Sequence, residues 1–243
     1  MVEYYKGREI VFKALVGSHN YNLATPTSDK DYKVFVFPTF NDLYTGYSYK
    51  DSTIGEQFDY QVHDIRKLPE LLAKSNVNFL EALFTTEIKS NHVLHTRLWS
   101  LRDSIARMNL PYLYDACVGM FNKEIKLYEK KMAEGNEAKA FKYAASAIRS
   151  TDFLYRFHNN DFSDFRAAIW YEDHERVLYK IKTGLYSREA VEYTLSTNEE
   201  TAIKLKPVYK GFEFDADTAD AMKYWIKRYV QENILEQLIE EDN

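Results

Sequence analysis

The sequence has little of several residue types that mark special classes of protein. Among its 243 residues is a single cysteine, Cys117, so an intramolecular disulfide and a cysteine-based zinc cluster are excluded. Five prolines and eight glycines are few, which argues against long loops and low-complexity segments. No apolar stretch approaches transmembrane length, and residues 1–5 do not have the pattern of a signal peptide. We therefore expect a protein of the reducing cytoplasm that has no membrane partner.

Positive charge is also scarce, because 32 Lys and Arg stand against 37 Asp and Glu and leave a formal net charge of −5. The chain as a whole thus lacks the basic footprint of a general nucleic-acid binder. Residues 123–149 are a local exception, with seven Lys or Arg against four Glu. Within them, Lys142 and Arg149 lie seven residues apart and share a helix face, which makes them candidates for triphosphate or acceptor contacts. An ordinary mixed surface is the alternative.

The order of the predicted elements indicates the fold class. Aromatic and β-branched runs, or alternating apolar and polar residues, predict strands at 9–16, 31–37 and 56–62, with a loop over 39–55. Helical spacing then predicts helices at 112–133, 137–158, 173–182, after Ser187 and at 216–238. Strands followed by helices are typical of an α+β fold, here with a small mixed sheet. We expect a catalytic core in residues 1–95 and a helical substrate-binding region in residues 96–243, packed on it.

Polar residues at the ends of these strands are the candidates for chemistry. The first strand ends in Gly17-Ser18, and the second opens with Ser28-Asp29-Lys30-Asp31. Side chains alternate between the two faces of a strand, so Asp29 and Asp31 point the same way if strand geometry extends back to Asp29. Asp59 lies inside the third strand. Pairing of the strands would therefore bring three carboxylates together at one end of the sheet.

The third carboxylate has two alternatives, Glu56 and Asp64, at or just beyond the ends of the third strand. Asp64 is also suited to cap the next helix, because Asp accepts hydrogen bonds from first-turn N–H groups. Two histidines lie close to these motifs, since His19 follows Ser18 and His63 shares the predicted face of Asp59. Either histidine can orient a substrate or assist proton transfer, although a surface or structural role is favoured for both.

Three carboxylates in one place suit Mg²⁺, which prefers hard oxygen ligands and is normally completed by waters and substrate phosphates. Two such ions can activate an attacking hydroxyl and hold a leaving pyrophosphate. Gly17 allows the backbone to approach a phosphate closely, and the Ser18 hydroxyl and exposed N–H groups can donate to it. The combination predicts metal-dependent phosphoryl transfer, whereas a Ser-Asp-x-Asp segment alone would indicate only a solvated turn.

Gly-Ser, a spacer of ten residues, Asp-x-Asp and a later strand Asp together resemble the minimal nucleotidyltransferase motif of the DNA polymerase β superfamily. Within this superfamily, the chain resembles the predicted nucleotidyltransferases associated with bacterial RNA repair, which also occur in phages. The resemblance rests on residues 17–38, 58–68 and 76–84, with fainter matches at 142–149 and 179–192.

The resemblance implies a nucleotidyltransferase fold, two magnesium ions and a nucleoside triphosphate donor such as ATP. It implies catalytic and metal-binding carboxylates at Asp29, Asp31 and Asp59. Nucleotide contacts are expected at Gly17, Ser18, Ser28, Lys142 and Arg149. If the protein is of phage origin, its compartment would be the host cytoplasm.

The chain departs from the family's pattern at positions that concern substrate handling. Asn22 stands where glycine is usual, and Lys33-Val34 where Arg-Gly is typical. Val77 replaces the proline of an Asn-Pro-x-x-x-Glu pattern, which leaves Asn76 and Glu81. Ser146 replaces the histidine of a Lys-x-x-x-His-x-x-Arg pattern. The three carboxylates are retained, so the departures leave the predicted chemistry intact.

Three functions are compatible with the sequence. The first is transfer of a nucleoside monophosphate to an RNA end, with the 3′ end of a tRNA as one such acceptor. The second is transfer to a protein or a small molecule, which needs the same carboxylates but no basic channel. The third is a non-catalytic nucleotide-binding module, which ranks last because all three carboxylates are present. The acceptor, the preferred base and the oligomeric state stay open.

Overall fold

The computed structural model describes residues 2–55, 58–90, 92–172 and 177–241. The strands are β1 (Tyr4–Tyr5), β2 (Arg8–Val16), β3 (Lys30–Val36), β4 (Lys50–Ile54), β5 (Phe58–Asp64) and β6 (Ile88–Lys89). The helices are α1 (Phe40–Tyr44), α2 (Leu68–Ala73), α3 (Val77–Leu80), α4 (Val93–Ser100), α5 (Arg102–Arg107), α6 (Leu110–Ala133), α7 (Glu137–Asn159), α8 (Phe165–Ile169), α9 (Val177–Lys182), α10 (Arg188–Lys210) and α11 (Ala216–Glu241). Single 3₁₀ turns lie at Ile65–Lys67 and Glu81–Leu83.

The strands form one mixed sheet in the order β1-β2-β3-β5-β4, with β6 also paired to β2. β3 and β5 run parallel, and the other pairs are antiparallel. A mixed sheet in the N-terminal part, followed by a helical C-terminal region, confirms the predicted α+β fold. Among the residues that the structure describes, no helix is long and apolar enough to cross a membrane.

The parallel pairing of β3 with β5 determines which side chains meet on the sheet. In this register Asp31 lies beside Asp59, Lys33 beside Gln61 and Phe35 beside His63. Phe35 belongs to the main hydrophobic core, which it shares with the helices. Because alternate residues of a strand share a face, Asp31 lies on the helical side of the sheet. The opposite face carries a small separate cluster built on Val34, Val36 and Val62.

The strand predictions are confirmed where the local pattern is strong. The predicted strands at 9–16 and 31–37 differ from β2 and β3 by one residue at their ends. The predicted strand at 56–62 corresponds to β5, although residues 56 and 57 lie outside the described part of the chain.

The prediction of a plain loop over residues 39–55 is wrong, because the segment contains α1 and β4. A capping box between Thr39 and Asp42 begins α1, and Asp42 is buried in an ion pair with Arg8. β4 is a mostly exposed, polar strand that is held by its pairing with β5. Arg8 lies 34 residues from Asp42 in the sequence, and β4 has no alternation of apolar residues, so local periodicity does not mark these elements.

The long helices match their predicted bounds closely. α7 extends one residue beyond the predicted 137–158, and α11 three residues beyond 216–238. α6 begins two residues earlier than predicted, because Asn109 caps it and Pro111 occupies the first turn, where proline is tolerated. Ser187 caps α10 as expected, its hydroxyl accepting from the Ala190 amide. Of the predicted helix at 173–182, the structure describes the part from Val177.

α11 returns along the first half of the chain. Its stripe of Met222, Ile226, Val230 and Ile234 is buried in the same hydrophobic cluster that contains β2. Polar contacts fix the helix further, since Asn233 Nδ2 donates to Glu9 Oε2 at 2.6 Å. The helical part and the sheet thus share one core.

Candidate active site

Asp31 and Asp59 are the centre of the candidate site. They are neighbours in the parallel register and line a cleft of about 320 Å³, together with Gln61, Asn78 and Phe79. We call this space the carboxylate cleft. Burial raises the pKa of Asp31, and the nearby charges of Asp59 and Asp29 raise it further. The carboxylates are therefore close enough to repel one another, which is the electrostatic condition of a cation site.

Asp29 is exposed and is not among the residues that line this cleft. β3 begins at Lys30, so the strand alternation that would align Asp29 with Asp31 does not reach residue 29. Across the described ranges, no three His, Cys, Asp or Glu side chains are grouped as a metal centre. The structure thus brings Asp31 and Asp59 together and leaves Asp29 within electrostatic range of Asp31.

Asp64 and Glu56 were the alternatives to Asp59 as the third carboxylate, and the structure describes only Asp64. Asp64 is fully buried, accepts from the Arg66 amide at 2.9 Å and forms an ion pair with the Arg66 side chain. It therefore caps the 3₁₀ turn at Ile65–Lys67, as the capping hypothesis predicted, and does not face the cleft. Glu56 lies outside the described residues.

Gly17 packs directly against the Asp31 carboxylate. Its φ is +70°, and a Cβ at this position would lie 2.7 Å from Asp31 Oδ2, so only glycine fits. The Gly17 N–H donates to Glu81 Oε2 at 3.0 Å, which means that this amide faces Glu81 and not a ligand. The Ser18 carbonyl accepts from Leu23 N at 2.9 Å. Ser18 lines an adjoining cleft, and its hydroxyl has no hydrogen-bond partner among the described residues.

Residues 17–23, which we call the Gly17 loop, are held by contacts made further along the chain. His19 Nε2 lies 3.1 Å from the Ser28 carbonyl oxygen, and Ser28 Oγ accepts from Thr25 N at 2.9 Å. Asn22 has a φ of +61°, which asparagine tolerates better than most residues, in the place where the family usually has glycine. His19 and Ser28 therefore hold the loop closed, and nucleotide contact by Ser28 stays a prediction.

A second cleft, of about 210 Å³, lies on the other side of Gly17. It is lined by Ser18, Lys142, Arg149 and Lys182, and we call it the cation cleft. Burial lowers the pKa of Lys182, and the nearby charge of Lys142 lowers it further, so these two ammonium groups lie close together. Within the part of the chain that the structure describes, none of the three cations forms an ion pair. Clustered cations that form no salt bridge favour an anionic ligand.

Arg149 connects the two clefts. Its guanidinium lies over the Tyr21 ring, 4.3 Å from the ring centroid, and both residues line each cleft. Burial opposes its charge, but the nearby Tyr21 and Glu81 keep its pKa above the ordinary value. Arg149 is therefore a permanent cation at the junction.

Three residues of the site were not singled out as ligands or catalytic groups in the sequence. Lys182 Nζ donates to the Leu23 carbonyl at 3.0 Å and lies in the segment 179–192, where the resemblance is faint. Lys33 is buried and donates to Gln61 Oε1 at 3.0 Å, and burial lowers its pKa. Glu81 is the retained acid of the Asn-Pro-x-x-x-Glu pattern. That pattern was the signal that pointed to it.

His63 has a structural environment. Its ring contacts Phe79, with centroids 5.2 Å apart, and burial lowers its pKa to about 4, helped by Lys33 and Lys50. The imidazole is therefore neutral at pH 7, which fits the structural role favoured from the sequence.

The donor chemistry of the carboxylate cleft fits a divalent cation. Mg²⁺ is commonly held by one or two carboxylates, with substrate phosphates and waters completing its oxygen shell. Asp31 and Asp59 supply these carboxylates beside the cation cleft. The residues present are therefore compatible with a metal that is shared with a phosphate-bearing substrate.

No curated protein matches the chain significantly. A family model does match it, over residues 2–184, and is described as the RNA repair pathway DNA polymerase beta family (RlaP). The matched region contains the whole sheet and all residues that line both clefts, and it ends before α10. This match confirms the resemblance seen in the sequence: the chain belongs to the RNA repair pathway DNA polymerase beta family.

Proposed function

We propose that the protein is a Mg²⁺-dependent nucleotidyltransferase that moves a nucleoside monophosphate from a nucleoside triphosphate to an acceptor hydroxyl. One observation carries the proposal: the paired carboxylates of Asp31 and Asp59 adjoin, across Gly17, a cleft with three cations that form no ion pairs in the described part of the chain. Carboxylates for metal beside cations for phosphate are what phosphoryl transfer requires. Membership of a DNA polymerase beta family supports it.

The residues of the cation cleft would bind the triphosphate. Lys142, Arg149 and Lys182 would neutralise the β- and γ-phosphates, while the Ser18 hydroxyl donates to one phosphate oxygen. The acceptor hydroxyl loses its proton to solvent as its oxygen bonds to the α-phosphorus. The bond between the α-phosphorus and the oxygen of the β-phosphate breaks, and the same cations stabilise the charge of the leaving pyrophosphate. This charge neutralisation, together with positioning, is the main contribution that a protein makes to such transfers.

Asp31 and Asp59 would hold the magnesium ions, with Asp29, whose charge acts on Asp31, as the third carboxylate. When bound, these ions supply charge neutralisation and a more acidic acceptor hydroxyl. The two regions of the chain would supply different parts of the site. We propose that residues 1–95 carry the carboxylates and residues 96–243 the substrate-binding helices, because the cation cleft combines the Gly17 loop with α7 and α9.

The favoured acceptor is an RNA end, because the family is described by an RNA repair pathway. The 3′ end of a tRNA is one such acceptor, and ATP is one such donor. The overall charge of −5 favours the second candidate, a protein or small-molecule hydroxyl, over any long nucleic-acid track.

The test is transfer of label from each nucleoside triphosphate, with Mg²⁺, to a panel of RNA, protein and small-molecule acceptors. Asp31→Asn and Asp59→Asn should each abolish transfer without loss of the fold, because removing one of two repelling charges does not destabilise the pair. Asp220→Asn, which changes an exposed carboxylate of α11, is the matched control and should transfer normally. Activity within a few-fold of wild type in either cleft variant would refute the assignment. Triphosphate binding without transfer to any acceptor would indicate a nucleotide-binding module instead.

A further inference from the structure

Glu81 is a buried carboxylate, 2% exposed, at the start of the 3₁₀ turn that follows α3. Its Oε2 accepts from the Gly17 amide at 3.0 Å and from Asn20 Nδ2 at 3.3 Å. Asn20 Nδ2 also lies 3.4 Å from the Glu81 carbonyl oxygen. One acid thus bonds to the Gly17 loop at its first and its fourth residue.

A second set of bonds ties the same loop to the helical region. Arg166 Nη1, on α8, donates to Asn20 Oδ1 at 2.6 Å and to the Asn20 carbonyl oxygen at 2.9 Å. It also donates to the Phe84 carbonyl oxygen at 3.2 Å. The polar groups therefore form a continuous chain from α8 through Asn20 and Glu81 to the amide of Gly17.

An ion pair does not account for the buried charge of Glu81. Burial raises the pKa of Glu81, although Tyr21, Arg149, the Gly17 amide and Lys33 each act to lower it. Within the described residues, no cation lies at ion-pair distance from its carboxylate. Burying a carboxylate is costly unless hydrogen bonds compensate, and the donors on Oε2 are those of the Gly17 loop. The hydrogen bonds that Glu81 Oε2 accepts are therefore bonds to the Gly17 loop.

The position of Gly17 has consequences for both clefts. There is no space between its Cα and the Asp31 carboxylate for even one additional carbon atom. The next residue, Ser18, faces the cation cleft. The hydrogen bond from the Gly17 amide to Glu81 therefore fixes the position of the Ser18 hydroxyl relative to the carboxylates of Asp31 and Asp59.

We propose that Glu81 is a positioning residue: by holding the Gly17 amide it presents Ser18 to the triphosphate, without itself contacting the substrate. The inference rests on the proposed function, because it takes the ligand of Ser18 to be the triphosphate. If Glu81 has this role, the position of the Gly17 loop depends more on the length of the Glu81 side chain than on its charge.

Two substitutions separate reach from charge. Glu81→Gln keeps an acceptor oxygen at the same distance but removes the charge. Glu81→Asp keeps the charge but withdraws the oxygen by one carbon–carbon bond, about 1.5 Å. Asp42→Asn is the matched control, because Asp42 is also 2% exposed and hydrogen-bonded but is paired with Arg8 beside α1.

The first measurement is hydrogen exchange of the Gly17 amide by NMR, in the absence of any nucleotide. Loss of a hydrogen bond to a charged group changes an equilibrium constant, here that of the opening that precedes exchange, by about 10- to 100-fold. Glu81→Asp should therefore speed exchange at Gly17 by at least about tenfold. Glu81→Gln, which keeps a weaker neutral hydrogen bond, should speed exchange less than Glu81→Asp does, and Asp42→Asn should leave it within a few-fold of wild type. Fast exchange in Glu81→Gln, with slow exchange in Glu81→Asp, would overturn the proposal in favour of a charge role.

The second measurement is the dissociation constant of Mg²⁺–triphosphate in a double-mutant cycle with Ser18→Ala. Ser18→Ala should weaken binding about 10- to 100-fold in wild type and in Glu81→Gln. It should have little further effect in Glu81→Asp, where the hydroxyl is already misplaced. A purely structural Glu81 would lower stability but leave the Ser18→Ala effect unchanged, which would refute the positioning role. If wild type binds no triphosphate, the proposed function fails, and the exchange result still decides whether Glu81 holds the loop.

Discussion

Gly17→Ala is the substitution that tests the geometry of the site most directly. The backbone at Gly17 has a φ of +70°, and an added Cβ would lie 2.7 Å from Asp31 Oδ2. Gly135, between α6 and α7, is the matched control, because its φ is +71° and a Cβ added there would meet no atom within 4 Å. Both alanines therefore suffer the same backbone strain, and only the alanine at residue 17 meets a carboxylate.

The expected magnitudes follow from these two contributions. A left-handed conformation costs a non-glycine residue about 1–2 kcal/mol, which should be the whole effect of Gly135→Ala. Forcing one additional carbon into a filled space costs about 1–3 kcal/mol more, so Gly17→Ala should destabilise the protein by about 2–5 kcal/mol. Displacement of Asp31 should also reduce transfer by about 100-fold, as expected for a misplacement near 1 Å.

Urea unfolding of both variants measures the difference in the free energy of unfolding. The clash should disappear when its partner is removed, so in an Asp31→Ala background Gly17→Ala should cost no more than Gly135→Ala. Equal destabilisation by Gly17→Ala and Gly135→Ala in the wild-type background would refute the contact between Gly17 and Asp31. A cost of Gly17→Ala that is unchanged by Asp31→Ala would refute it as well.

The other predictions concern ligands and pH. Mg²⁺ with a nucleoside triphosphate should raise the melting temperature, because it binds only the native state, and triphosphate with EDTA should raise it much less; equal shifts would mean that metal and phosphate are bound independently. Lys142→Ala should weaken tripolyphosphate binding and flatten its salt dependence, whereas Lys139→Ala, on an exposed site of the same helix, should change neither; equal effects would remove Lys142 from the cation cleft. His63 has a folded-state pKa of about 4, below its ordinary value, so the unfolded state binds the additional proton as pH falls from 6.5 to 4. Stability should fall over that range, and His63→Gln should reduce the slope in unfolding experiments; an unchanged slope would show that His63 does not contribute.

Elements with strong local signals could be predicted from the amino-acid sequence alone. Helical spacing predicted the course of α7 to within one residue, and the capping preference of serine predicted that a helix begins after Ser187, where α10 begins. Alternation along each strand was enough to place Asp31 opposite the apolar face of β3 and Asp59 opposite the apolar face of β5. The family, too, was recognisable from short motifs in the first 84 residues, which the family match confirms.

Tertiary structure alone decided how these elements meet. The parallel register of β3 and β5 places Asp31 beside Asp59, and β4 exists only because β5 pairs with it. The bond between the Gly17 amide and Glu81 spans 64 residues, and the bond between Lys182 and the Leu23 carbonyl spans 159. Side-chain periodicity reports the face that a residue occupies within its own element, whereas contacts across such separations depend on how the whole core packs. For this reason the faces of Asp31 and Asp59 within their own strands could be predicted from the sequence, whereas the exposed position of Asp29 and the groups that hold the Gly17 loop could not.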